Sequence, residues 1–167
     1  MKKNYATKIL IALPFLFFQL GFSQTTTWTG ASWDNGVPTI TVDAIISSGT
    51  CPIMVDTEVK SIIIQDGAVL SVDESITLTI QDNIQVLGSG QFIVNNNASI
   101  LQNNASAVNV GNVTYNRDAM PMRQFEFTYW GSPVAGQVLN VLSPLTLSDK
   151  FYSYNANVGV NNWVIEN

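Results

Sequence analysis

Residues Ser61 to Val113 constrain the fold more than any other part of the chain. Short apolar runs are broken there every few residues by Asp, Asn, Gly and Ser, and the stretch contains no Lys or Arg. Leu78 and Ile80 alternate with Thr77 and Thr79. Leu70 and Val72 flank Ser71, and Phe92 and Val94 flank Ile93. Strict alternation is the mark of a strand with one buried face. The β-branched and aromatic residues at these positions suit a pleated surface. No run keeps a 3.6-residue period, and the breakers recur too often for a helix.

The tripeptide Ile64-Gln65-Asp66 returns as Ile80-Gln81-Asp82, an offset of 16, and Ile93 to Asn97 is a looser copy. An offset of this size predicts one coil of a parallel β-solenoid, with successive coils stacked at about 4.8 Å. Ile64, Leu78, Ile80, Val86, Phe92 and Val94 then point inward as one column. Asn and Gly suit the corners, because both tolerate left-handed backbone angles. Stacked Asn side chains can also bond from coil to coil. The competing arrangement is a meander of antiparallel hairpins.

The chain has 167 residues, of which 11% are charged and 46% hydrophobic, and its net charge is −5. Lys2, Lys3 and Lys8 precede an apolar core from Ile9 to Phe18, and Gly21-Phe22-Ser23 closes it with small residues. This reads as a secretory signal peptide cleaved after Ser23, or alternatively after Gln24. A spanning helix needs about 20 apolar residues. Pro14, Gln19 and Gly21 interrupt this stretch. The mature chain keeps four basic residues, Lys60, Arg117, Arg123 and Lys150, against twelve acidic ones, a net charge of −8. Such a charge argues against a nucleic-acid partner, which needs a basic stripe. Cys51 is the sole cysteine, so no internal disulfide forms. It reads as a small core residue.

Between the signal and the array, Trp28, Trp33 and the turn Asp34-Asn35-Gly36 read as a cap over the open solenoid end. Stacking of sugars on the two tryptophans is the alternative. Thr39 to Ser47 and Pro52 to Val59 read as the first strands, with Ala44-Ile45-Ile46 and Ile53-Met54-Val55 entering the core. From Arg117 the composition changes. Phe125 to Trp130 reads as a strand, Ala135 to Leu142 as two helical turns before Pro144, and Phe151 to Tyr154 and Trp163 to Ile165 as two further strands. The fold class is therefore all-β: a short right-handed parallel β-solenoid-like array followed by the start of a β-sandwich-like domain. The segments are a signal peptide (1–23), a cap with the first strands (24–60), the repeats (61–115) and an incomplete sandwich-like part (116–167).

The order of Thr25 to Ser47, a Gly/Asn-rich strand array, Arg123 to Gln137 and Asp149 to Ala156 resembles the N-terminal part of large secreted surface proteins of Bacteroidota, Flavobacterium-like bacteria especially. Trp130-Gly131-Ser132-Pro133-Val134, with Phe151-Tyr152-Ser153-Tyr154, is the most specific part. The resemblance implies Sec export followed by type IX secretion, directed by a C-terminal sorting domain, and no enzymatic role. These 167 residues contain no such sorting domain, so it implies type IX export only for a longer product.

Chemistry is sparse. The absence of histidine removes His-based triads, Cys–His pairs and most zinc sites. Gly88-Ser89-Gly90 precedes no helix and is not followed by the Lys of a phosphate loop. Asp66 and Asp82, at matching places in the 16-residue register, and Asp73 with Glu74 form the one carboxylate constellation. Solenoid polysaccharide lyases and hydrolases stack carboxylates on one face, some with calcium. Such lyases also hold acidic sugars with Arg or Lys, which this stretch lacks, and a dense Asp-x-Asp calcium pattern is missing. The four read as solvated corners. No catalytic, cofactor or metal residue is assigned. The expected function is a non-catalytic secreted or cell-surface structural or adhesion module, part of a longer exported protein. A carbohydrate-binding module using Trp28, Trp33 or the Tyr129–Trp130 edge is the first alternative, and a solenoid lyase or hydrolase the second. The expected partners are surface glycans or other cell-surface proteins, with no membrane span after signal cleavage.

Overall fold

The computed structural model describes residues 24–124, 126–159 and 161–166. The expected signal peptide with its expected cleavage site after Ser23, and the first residue of the expected strand, Phe125, lie outside them. The chain divides into two compact units, one ending at Asp118 and one beginning at Ala119.

The first unit is a three-sided parallel solenoid. One face stacks β1 (Gln24–Trp28), β2 (Val42–Ile46), β5 (Ile62–Ile64) and β8 (Ile84–Val86). The second stacks β3 (Thr50–Ile53), β6 (Val69–Val72), β9 (Gln91–Val94) and β11 (Val113–Tyr115), and the third β4 (Thr57–Val59), β7 (Thr77–Ile80) and β10 (Ser99–Gln102). Every pairing between these strands is parallel. That rules out the hairpin meander, whose neighbours would run antiparallel.

The register corrects the repeat length. Ile62 pairs with Ile84, Leu70 with Phe92 and Leu78 with Ile100, so one coil is longer than the repeated tripeptide suggests. Earlier coils are shorter, as the pairing of Ala44 with Ile62 shows. The offset between the two copies of Ile-Gln-Asp is not a coil. Ile64 ends a strand of the first face and Ile80 ends one of the third, so the copies sit on different sides. A three-sided coil meets a strand on each side, and similar strand ends recur within one turn.

The true period is written in glycine. Gly30, Gly49, Gly67, Gly88 and Gly111 recur once per coil, each in the turn leading off the first face, and all have positive φ. Gly111 shows why the residue is required. Its φ is +85°, and a Cβ there would lie 2.4 Å from the Val86 carbonyl oxygen of the coil below. At the next corner Ser75 and Asn97, one coil apart, take the same left-handed turn at φ 64° and 59°.

The core lies inside the solenoid. Ile64, Leu78, Ile80, Val86, Phe92 and Val94 are all buried, as the alternation predicts, together with Ile46, Leu70 and Val72. Burying each such side chain contributes roughly 1.5–3 kcal/mol. Two expectations fail. Met54 and Val55 are 64% and 67% exposed, because β3 ends at Ile53 and they form the corner before β4. Ile45 faces outward between buried Ala44 and Ile46, as strand alternation requires.

Trp33 and the buried Pro38 line the N-terminal end of the interior with Ala44 and Ile62. The Asp34-Asn35 turn also occupies the free edge of β1. Asp34 Oδ1 accepts from Thr27 N at 2.7 Å, Asp34 N donates to Thr27 O, and Asn35 Nδ2 donates to Thr25 O. A strand edge satisfied in this way cannot template another chain.

The second unit holds an antiparallel pair, β12 (Tyr152–Tyr154) and β13 (Trp163–Ile165), one helical turn α1 (Leu139–Leu142) and a 3-10 turn at Ser148–Lys150. This pair is what the structure shows of the expected sandwich-like sheet. Residues 126–130 form no strand. The helix is half the expected length because Gly136, at φ +74°, turns the chain left-handed within it. Among the described residues, no helix is long and apolar enough to cross a membrane.

Candidate functional site

Asp66 and Asp82 are brought neither to one another nor to the corner that holds Asp73 and Glu74. Asp66 lies in the turn leading off the first face, where its Oδ1 accepts from Ser89 N and Ser89 Oγ, both at 2.7 Å. These donors hold its carboxyl below the usual 3.8, with the backbone N–H as the larger cause. Asp82 follows the third-face strand and accepts from Asn104 Nδ2 at 3.2 Å. Glu74 accepts from Asn96 Nδ2 at 3.3 Å. The equivalence of Asp66 and Asp82 in the tripeptide register therefore falls with that register.

These contacts belong to ladders that run from coil to coil, as the Asn content suggests. Asn116 Nδ2 donates to Asn95 Oδ1, and Asn95 Nδ2 donates to Ser71 Oγ, linking three successive coils. Asn103 donates to Gln81 at 3.0 Å. Arg117 closes one corner, donating to the carbonyls of Asn95 at 2.8 Å and Ala98 at 2.7 Å while its guanidinium lies 5.2 Å from the Tyr115 ring centre. Such bonds fix neighbouring coils in register, and they occupy the polar groups that would otherwise meet a substrate.

A polar hollow of about 700 Å³ lies along one corner, lined by Asp73, Glu74, Asn95, Asn96, Asn116 and Asp118. Among the described residues, no cluster of three or more His, Cys, Asp or Glu side chains could hold a metal ion. Cys51 is fully buried, and burial pushes its thiol up to about 12. The thiolate is the reactive form, so this cysteine is chemically silent in the folded chain.

Trp28 and Trp33 meet edge to face, with centroids 5.6 Å apart, and both pack on the solenoid core. The Trp28 indole N–H is buried and without a hydrogen-bond partner. Rings used in this way close a core, which favours the cap over the sugar platform.

Tyr129 and Trp130 have different surroundings. In the second unit Phe127, Tyr129, Trp130, Tyr152, Tyr154 and Trp163 line a cleft of about 720 Å³. Trp163 is its hub, with the Tyr154 ring centre at 5.3 Å and that of Tyr129 at 5.9 Å; Phe127 meets Tyr152 edge to face. The Tyr129–Trp130 edge is legible in the sequence. Its convergence with Trp163 is not, because the two are distant in the chain and only the β12–β13 pairing brings Trp163 beside Tyr154.

No curated protein and no solved structure matches this chain. The family described as the domain of unknown function DUF8693 matches residues 21–167, nearly the whole sequence, and the chain belongs to that family.

Proposed function

We propose that the chain is a non-catalytic structural or adhesion module of a protein exported to the cell surface or medium, with the solenoid as a stiff spacer. One observation carries this reading: three of the four corner carboxylates are spent on ladders between coils, Asp66 on Ser89, Asp82 on Asn104 and Glu74 on Asn96. A solenoid lyase or hydrolase needs carboxylates that converge on a substrate. Here Asp66, Glu74 and Asp82 stand at three different corners and each is bonded to the neighbouring coil, while the hollow that Glu74 shares with Asp73 and Asp118 has no Arg or Lys in its lining to hold an acidic sugar. The positive n-region with Lys2, Lys3 and Lys8 and the apolar core from Ile9 to Phe18 support Sec export. The resemblance to Bacteroidota surface proteins supports type IX secretion of the product that carries a sorting domain.

Two measurements test the reading. Material recovered from the medium should begin at Gln24 or Thr25 by N-terminal sequencing, and it should release no reducing ends from pectin-like or alginate-like polymers. Intact Met1 to Phe22 in a membrane fraction would refute export. Steady release of sugar would refute the non-catalytic role.

A further inference from the structure

We propose that the aromatic cleft of the second unit binds a neutral polysaccharide, with Tyr129, Tyr154 and Trp163 as its stacking surface. The cleft, at about 720 Å³, has the size of an ordinary ligand site. Tyr129 and Tyr154 are 78% and 63% exposed, and Trp163 is 42% exposed. Rings gathered around Trp163 at 5.3 and 5.9 Å yet open to water form a platform, whereas the pair Trp28 and Trp33 is packed on a core.

The chemistry selects the occupant. A pyranose ring offers an apolar C–H face ringed by hydroxyls, which suits side chains that are apolar in body and polar at the tip. Beside the rings, Thr128 and Ser153 add hydroxyls, and Ser153 Oγ donates to Glu166 Oε1. A lipid tail would need an enclosed cavity, and this cleft is open to solvent along its aromatic face. None of the lining side chains is charged, and the nearby Lys150 is paired with Asp149 at 2.8 Å. Acidic glycans would find no cation in the lining and would face a chain of net charge −5, or −8 once the signal is cleaved. The planes of Tyr129 and Tyr154 are inclined to that of Trp163 by 45° and 68°, so the rings suit successive sugars of a winding chain better than a single monosaccharide. The inference rests on the adhesion reading above in one respect: the polymer is held and not cut.

The test is co-sedimentation of the secreted chain with insoluble cellulose, chitin and mannan, and with alginate and pectin gels as acidic polymers. The chain should bind at least one neutral polymer and neither acidic one. Trp163→Ala and Tyr129→Ala should each weaken binding about tenfold or more, as loss of an aromatic anchor does. Trp163→Phe should keep most of it, which separates loss of the ring from loss of the fold. Leu101→Ser, on the solenoid surface, should change nothing. Failure to bind any neutral polymer, a preference for the acidic ones, or equal binding by Trp163→Ala would overturn the proposal. A dimer that Trp163→Ala abolishes, without polymer binding, would overturn it too and assign the cleft to a second copy of the chain. Release of soluble sugar alongside normal binding would remove the non-catalytic reading and leave the binding site standing.

Discussion

Asp66 shows what a single corner residue does. It accepts two hydrogen bonds from Ser89 of the next coil, and a Cβ on Gly88 would lie 2.5 Å from its Oδ1. A side chain at that point of the coil above would push the Asp66 carboxylate out of these bonds, and the ionised carboxylate accepts both better than the neutral acid does. Donors favour the charged form, so the folded pKa lies below the unfolded 3.8. A depressed carboxyl contributes stability that is present above the unfolded value and is lost as pH falls through the folded one. Asp34 is lowered in the same direction, first by its bond from Thr27 N–H. Carboxyl-carbon NMR should place both titration midpoints below 3.8, and the Asp66 midpoint should return toward that value in Ser89→Ala, which removes the hydroxyl donor. A midpoint for Asp66 at or above 3.8 in the unsubstituted chain would mean that the Ser89 contacts are not made in solution.

At the scale of the strand, alternation decides which side chain carries stability. Leu78 and Thr79 are neighbours in β7, the first fully buried and the second on the outer face. Leu78→Ala should cost roughly 2–5 kcal/mol in urea unfolding, because the surrounding Ile and Val side chains can close the gap only in part. Thr79→Ala should cost about 0.5 kcal/mol or less, as an outward substitution that breaks no buried contact. Equal costs would contradict the register. The same logic explains the cap. The first coil has Thr26 at its inward position, fully buried, with Oγ1 donating to Gly36 O at 2.7 Å, so a polar side chain ends the apolar column beneath the Asp34-Asn35-Gly36 turn.

Across the whole molecule the two units differ in kind. Among the described residues the buried apolar side chains run from Pro38 to Ala98, and from 119 onward none is buried. Local opening follows the density of buried contacts. Backbone amides of β5 to β9 should therefore exchange slowly, at rates set by global unfolding, while those of 119–166, including β12 and β13, should exchange orders of magnitude faster. Hydrogen-exchange mass spectrometry on peptides from each unit reads this directly. Comparable protection across both would mean that the second unit has a core of its own.

The alternation of Leu78, Ile80, Phe92 and Val94, and with it the strands and inward column, could be read from the sequence because side-chain direction in a strand is a local property of adjacent residues. Strands β12 and β13 were equally legible, at Phe151 to Tyr154 and Trp163 to Ile165. The coil length was not. It depends on how three corners close, and that is set by contacts between residues a whole coil apart: Gly111 over Val86, Gly88 over Asp66, Asn116 on Asn95. A repeated Ile-Gln-Asp is compatible with any face, whereas the glycine column, present in the sequence all along, gains its meaning only when stacked. The aromatic cleft is the same case at the other end of the chain. Tyr129 and Trp163 are visible as residues, but only tertiary pairing places their rings 5.9 Å apart.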